Sequence, residues 1–414
     1  MNSEHTRFHL QILFDLIQEE LHLSSQKTTA LVAPLDPSFL KELYTISKQH
    51  DLAHLIADIL DQKNLLGSDE ISEKFRKQQL LAVYRYQRIN HELEQVCSAL
   101  EAAKIPNLPL KGSIIRNYYP EPWMRTSCDI DILVHETDLD SAILYLCEKL
   151  EYKVEGKGSH DVSLISPSCV HIELHFDLVE KEYANGVGVF LSQIWDHTTV
   201  KEGLEYGYEL SDEMFYFYHL AHMAKHVEYG GCGIRPFLDL WILDHQVKHD
   251  QHARDRLLEI GGLLKFAIAC RQLSETWFSN TPPIDLTPVF QEYVINGGVY
   301  GTFEHRIAVR QHKRGGKIQY VFSRIFLSYD DLKVQYPILQ KHRWLMPIMQ
   351  VCRWFNKIFH RRLKHVFGEL KKSQNMTKEH IYTISNLLEE LGLENTSKKG
   401  TPTDQEPLGV EKDV

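Results

Sequence analysis

The hydrophobic period of this chain changes twice, and that limits what it can fold into. From residue 5 to about 100, apolar residues recur at three- and four-residue intervals, as in "FHLQILFDLI", "FLKELYTISKQHDLAHLIADIL" and "QQLLAVYRYQRINHELEQVCSALEA". Such spacing lays an apolar stripe along each helix. Asp36 ahead of Pro37 marks one helix start. Between 106 and 200 the pattern becomes alternating or β-branched, in "CDIDILV", "YKVEG", "DVSLIS" and "VHIELHFDL", with one helix at "ETDLDSAILYLCEKL". Helical spacing returns from 211 to about 280 and runs on past "NTPPIDLTP" to about 370. This order predicts an α+β fold, a small mixed β-sheet core flanked by N- and C-terminal α-helical regions. The expected divisions are a helical region 1–100, the sheet core 101–205, a helical substrate-side region 206–300, C-terminal helices 301–372, and a helix with a disordered tail 373–414. From 395 on, large apolar residues are almost absent.

Composition narrows the function. With 46 basic against 56 acidic residues the formal charge is −10, so no general nucleic-acid binding is expected. The seven cysteines lack paired or metal-type spacing, which fits reduced thiols in a cytoplasmic protein. No run of 18 apolar residues exists, and the N-terminus is too polar for a signal peptide. A soluble protein follows, with peripheral membrane contact left open.

The chemistry concentrates in "RTSCDIDILV", residues 125 to 134. On a strand, Asp129 and Asp131 project from one face while the isoleucines pack behind them. Two carboxylates so close repel unless a counter-charge joins them, and a divalent cation is one. In "VHIELHFDL", Ile172 and Leu174 face the core and His171, Glu173 and His175 face the other way. If the two strands are neighbours, side chains on that face meet within roughly 5 Å. Glu173 then completes a three-carboxylate site suited to two metal ions. A solvated strand edge is the plain alternative for the aspartates. Upstream, Lys111, Gly112 and Ser113 precede an apparent helix start, which offers backbone N–H groups and a cation to a phosphate. Arg116 and Arg125 lie in the same segment and suit forked pairing with phosphate oxygens.

Taken together, "LKGSIIRNYYPEPWMRTSCDIDILV" and "HIELHFDL" resemble the uncharacterised bacterial nucleotidyltransferase family of the DNA polymerase β-like superfamily. The resemblance matches Gly112 and Ser113 to that group's turn, Asp129 and Asp131 to its metal pair, and Glu173 to its third acid. Lys111 matches its lysine and Arg125 its arginine. The fifteen residues between Ser113 and Asp129 are a longer gap than the wider superfamily uses. Later segments, including "HLAHMAKH", "RPFLDLWILD" and "YPILQKHRWLMPIMQVCRW", extend the resemblance over roughly residues 40 to 360. It implies a Mg²⁺-dependent (or Mn²⁺-dependent) enzyme that moves a nucleoside monophosphate from a nucleoside triphosphate to an unknown acceptor hydroxyl. Lys111, Gly112, Ser113, Arg116 and Arg125 are the expected nucleotide-binding residues.

Two further groups stand out. His219, His222 and His226 form one stripe of a helix, and His222 with His226 has the spacing of a zinc pair, with Asp239 as a possible third ligand. The preferred reading is a cleft lined by His222, His226, Arg235 and Asp239, with His171 and His175 nearer the acids; a structural histidine cluster is the alternative. Residues 341 to 372 carry nine Lys or Arg against one acid, interleaved with Trp344, Trp354, Phe355, Phe359 and Phe367. Such a helix suits weak contact with an anionic membrane surface or an acidic partner, or else packs with a solvated basic face. Two other functions remain to weigh: a catalytically silent nucleotide-binding or membrane-surface partner, and a hydrolase centred on His222, His226 and Asp239.

Overall fold

The computed structural model describes residues 3–21, 31, 33–178, 186–299, 301–313, 326–329, 332–333, 336–359 and 377–393. Helices α1 (Ser3–Glu20), α2 (Pro37–Gln49), α3 (Ala53–Gln62) and α4 (Glu70–Ala102) come first. Strand β1 (Asn107–Pro109), the single turn α5 (Gly112–Ile115), β2 (Asp129–Val134), α6 (Leu139–Leu150), β3 (Lys153–Lys157), β4 (Asp161–Ile165) and β5 (His171–His175) follow. After α7 (Gly186–Ser192) and a two-stranded ribbon, β6 (Thr198–Val200) with β7 (Tyr208–Leu210), the chain returns to helix. These helices are α8 (Asp212–Glu228), α9 (Arg235–Gln246), α10 (Gln251–Ile260), α11 (Leu264–Phe278), α12 (Thr287–Gly297) and α13 (Phe303–Lys313). Last come α14 (Met346–Phe359) and α15 (Lys378–Glu390). The expected tail from 395 lies outside the described residues.

Local chemistry sets the helix starts. The Asp36 carboxylate accepts hydrogen bonds from the Ser38 and Phe39 amides at 2.9 and 3.2 Å, with Pro37 at the first helical position. Asp69 caps α4 in the same way and Ser211 caps α8. Between α2 and α3, Asp51 turns the chain with φ at +56°. Helical spacing runs across that point in the sequence, so the break falls inside one periodic segment.

The sheet has the order β1-β2-β5-β4-β3, with β2 and β5 parallel and every other pair antiparallel. The α+β expectation is met: the mixed sheet is flanked by helices from both ends of the chain. One face is apolar. Ile130, Ile132, Val162, Leu164, Ile172 and Leu174 pack there against Val96 and Leu100 of α4 and Ala142 and Leu146 of α6. Each such side chain contributes roughly 1.5–3 kcal/mol when fully buried. A slip of one residue in β2 would turn its isoleucines to the opposite face and its aspartates into this core, which pins the register. The outer strand β3 is exposed throughout, with Lys153, Glu155 and Lys157 along it and a register shift at Val154/Gly156. A charged, irregular edge of that kind resists pairing with another chain.

A second, larger core joins Leu13 and Ile17 of α1, Leu55 and Ile56 of α3, Phe217 and Leu220 of α8, Phe237 of α9 and Phe266 of α11. The N-terminal helices and the helices after residue 211 therefore share one interior. That interior holds a buried acid. Burial, reinforced by a hydrogen bond with Asp58, pushes the Glu20 carboxyl up to about 9. A raised carboxyl contributes its full stability below the ordinary value of 4.5 and loses it as pH rises through the folded value. Glu20→Gln, neutral at every pH, is expected to raise Tm by a few degrees at pH 8 and hardly at pH 5, measured by scanning calorimetry at both.

Candidate active site

Strand pairing brings the acids together. In the β2–β5 register Asp131 stands opposite Glu173 and Asp129 opposite His171, while Ile130 and Ile132 face Ile172 and Leu174. The expected neighbouring strands are present, but the converging group holds Asp131 and Glu173 without Asp129. The Asp131 Oδ1 atom accepts two hydrogen bonds, from Lys111 Nζ at 2.7 Å and His175 Nε2 at 2.8 Å. His175 Nε2 also lies 3.5 Å from Glu173 Oε2. Among the described residues, Asp131, Glu173 and His175 form the group whose donor atoms converge closely enough to hold one metal ion.

Charge governs this corner. Burial opposes ionisation of Asp131, but Lys111 and His175 outweigh it and hold the carboxyl well below its ordinary range. Burial likewise opposes the Lys111 ammonium, and Tyr218 and Asp131 overcome it and raise its pKa. His175 is raised by Asp131 and Glu173 against the same opposition. Asp129 is pushed up by burial and then by Asp131, with the Lys111 charge offsetting only part of this. This is the split expected when neighbouring carboxylates share too little positive charge.

Lys111 is held in an unusual backbone. Its φ is +48° and ψ −122°, where a side chain is strained, at the corner between β1 and α5. The turn is closed by the Ser113 amide bonding Leu110 O at 3.2 Å and the Ile115 amide bonding Lys111 O at 3.2 Å. Strain of this kind costs about 1–3 kcal/mol and persists where the surroundings over-determine it. At this corner it aims the ammonium at Asp131.

A cavity opens beside Glu173 and His175. Its lining combines Lys111, His160, Glu173, His175, Leu178 and Leu191 with Tyr218, Ala221, His222 and Lys225 of α8. The His160 ring stacks on His175, with centroids 5.9 Å apart.

Other candidates lie elsewhere. Arg116 is buried, with Nε bonded to Gly112 O at 2.8 Å and Nη2 to Ser127 Oγ at 2.6 Å. Arg125 Nε grips both oxygens of the fully buried Asp239, at 2.8 and 2.9 Å, and Tyr119 Oη donates to Asp239 Oδ1 at 2.7 Å. Arg235 pairs with Asp51, which also accepts from Thr126 Oγ1 at 2.9 Å. Both arginines expected to reach phosphate oxygens therefore staple the long 114–128 segment, because buried charges require partners. Gly112 packs close beneath that segment: a Cβ there would lie 3.2 Å from Ser127 Cβ. Ser113 Oγ is buried with no hydrogen-bond partner among the described residues. His171 points outward and bonds Glu155 at 2.9 Å.

The histidine stripe divides. His219 Nε2 bonds Pro236 O at 2.9 Å, His222 lines the cavity, and His226 Nε2 sits 3.3 Å from His222 Nε2. Asp239 is held by Arg125 and Tyr119, and His222, His226 and Asp239 make no metal group among the described residues. The histidine-centred hydrolase thus loses its third ligand. Arg235 and Asp239 do not line the cavity either. Sequence reasoning missed Tyr218 and Lys225, although 218, 222 and 225 have the i, i+4, i+7 spacing of one helix face.

A family profile of uncharacterised nucleotidyltransferases matches residues 38–279, more than half of the chain. The chain belongs to this family. It is accordingly a transferase of phosphorus-containing groups, a nucleotidyltransferase. The match takes in the whole sheet, α8 and α9 and ends at residue 279, so the segment 336–354, where resemblance was also expected, lies outside it. Comparisons with curated proteins and with solved structures gave no match.

Two outcomes follow from these contacts. Asp239→Ala leaves the Arg125 guanidinium buried and uncompensated, and a stability loss of roughly 3–5 kcal/mol is expected in urea denaturation. Lys111→Gly should be more stable than Lys111→Ala by about 1 kcal/mol, since glycine accepts the +48° φ without strain. Equal midpoints for the two would show that the corner is relaxed.

Proposed function

We propose that this cavity transfers a nucleoside monophosphate from a nucleoside triphosphate to an acceptor hydroxyl, using Glu173 of its lining together with Asp131 and Asp129 of the adjoining strand β2. The observation that carries the reading is the β2–β5 register, which sets Asp131 opposite Glu173 with Lys111 on the same carboxylate. The donor set fits Mg²⁺ or Mn²⁺: two carboxylates converge, with Asp129 on the same strand face and one imidazole alongside. Asp131 and Glu173 would hold such an ion, with Asp129 as a further carboxylate, and His175 would orient Asp131. A divalent cation bound there supplies charge neutralisation on the phosphates and a lowered pKa for the acceptor hydroxyl.

The chain's own groups do the rest. Lys111, already ionised beside Asp131, is placed to turn its ammonium to a phosphate oxygen as charge builds on the leaving group. Ser113 Oγ, two residues away and buried without a partner among the described residues, suits the same phosphates. Glu173 takes the acceptor's proton while the acceptor oxygen bonds to the α-phosphorus and the bond to pyrophosphate breaks. Tyr218, His222 and Lys225 offer the remaining wall to the nucleotide or acceptor. Gly112 and Ser113, Asp129 and Asp131, and Glu173 also support placing the chain in the DNA polymerase β-like superfamily. The described cysteines are all free, with Cys128 and Cys169 exposed, which suits a reducing cytoplasm.

The test is transfer of α-labelled nucleotide in an extract, with Mg²⁺ and Mn²⁺ titrated. Asp131→Asn and Glu173→Gln are each expected to lose transfer by a hundredfold or more while remaining folded. His222→Ala, by contrast, should raise KM more than it lowers kcat. Full transfer by Glu173→Gln would falsify the assignment of the third acid.

A further inference from the structure

Helix α14 is turned inside out for a helix on a water-soluble surface. Ile348, Val351 and Phe355 recur at i, i+3 and i+7, and they are 49%, 55% and 56% exposed. Trp344, one turn earlier, is 72% exposed, and Pro347 lies exposed beside it. Two polar residues of the same helix point the other way, while Asn356 is exposed. Gln350 is buried and donates from Nε2 to Leu327 O at 2.6 Å, and Arg353 is buried with its guanidinium 4.9 Å from the Trp354 ring centroid. Ordinary amphipathic helices do the reverse. An outward stripe made of Trp, Ile, Val and Phe needs an apolar phase outside the molecule.

Charge indicates which phase. From Leu332 to Gly368 the sequence holds eight Lys or Arg and no Asp or Glu, in a chain whose net charge is −10. Lys341 and Arg343 are exposed at the N-terminal end of the stripe, and the Arg343 guanidinium lies 4.6 Å from the Tyr329 ring centroid. Aromatic and branched side chains on one face, bordered by cations and free of acids, match the boundary between headgroups and acyl chains of an anionic bilayer. No helix among the described residues is long and apolar enough to cross a membrane, so a helix lying in the plane of the surface is the arrangement that fits.

We infer that the Trp344–Phe355 face docks the protein on an anionic phospholipid surface. The apolar stripe enters the interface, and Lys341 and Arg343 meet lipid phosphates. This contact stands independently of the transfer chemistry, since α14 lies beyond the family match and contributes no lining to the cavity.

The experiment is co-sedimentation of the full chain with vesicles of phosphatidylcholine alone and of phosphatidylcholine mixed with phosphatidylglycerol, at low and high salt. The wild type is expected to pellet with the mixed vesicles at low salt and to stay in solution with phosphatidylcholine alone. Ile348→Glu with Phe355→Glu should weaken binding at least tenfold. Lys341→Gln with Arg343→Gln keeps the apolar stripe intact and should also weaken binding, with a shallower salt dependence. Circular dichroism and triphosphate binding, unchanged in both variants, show that each is folded. The inference is overturned if the wild type does not bind mixed vesicles, or if the glutamate variant binds them equally well. It is overturned too if light scattering shows a dimer that the glutamate variant dissolves in the absence of lipid, because the stripe would then be covered by a second copy of the chain.

Discussion

The pairing of β2 with β5 carries two requirements at once. Ile130, Ile132, Ile172 and Leu174 must enter the core under α4 and α6, and this same register sets Asp131 opposite Glu173 on the far face. Hydrophobic burial thereby does the positioning work of the site. A cluster of acids has no attraction of its own to hold it together, and here two apolar rows fix it from behind. The parallel direction matters as well, because the crossover through α6 and the β3–β4 hairpin brings Glu173 back beside Asp131.

Around that pair the protein settles its charges by proximity. Lys111 and His175 neutralise Asp131, while Asp129 is left with a raised pKa. A short distance away, Arg125 and Asp239 form a separate buried pair with no part of the cavity between them. The two arrangements serve different ends. The first leaves open space beside an ionised lysine and two carboxylates. The second fills its space and ties the segment before β2 to α9.

Much of this was legible in the sequence where a single local rule decides. Alternation in "CDIDILV" and "VHIELHFDL" identified the strands and their outward acids, Asp36 with Pro37 marked the start of α2, and the motif residues identified the family. What local rules do not carry is who partners whom. Arg116 and Arg125 have the chemistry of phosphate ligands, and only tertiary packing shows that Gly112 O, Ser127 Oγ and Asp239 claim them. The histidine spacing suggested one stripe, yet helix packing against α9 removes His219 and leaves Tyr218, His222 and Lys225 on the cavity. The short strands β1, β6 and β7 were missed because three residues are too few to show a period.

The bond between Arg125 and Asp239 also has consequences for inheritance. The partners stand 114 positions apart, one before β2 and one in α9. Any lineage that alters one of them alone passes through an intermediate with a lone buried charge, at a cost comparable to much of a typical protein's stability margin. Change at these positions is therefore channelled into coordinated replacements, such as an apolar pair of matching volume. For the same reason the sheet core is poorly suited to exchange by recombination: a graft that carries Arg125 without Asp239 imports half of an ion pair. The two regions are bound to descend together.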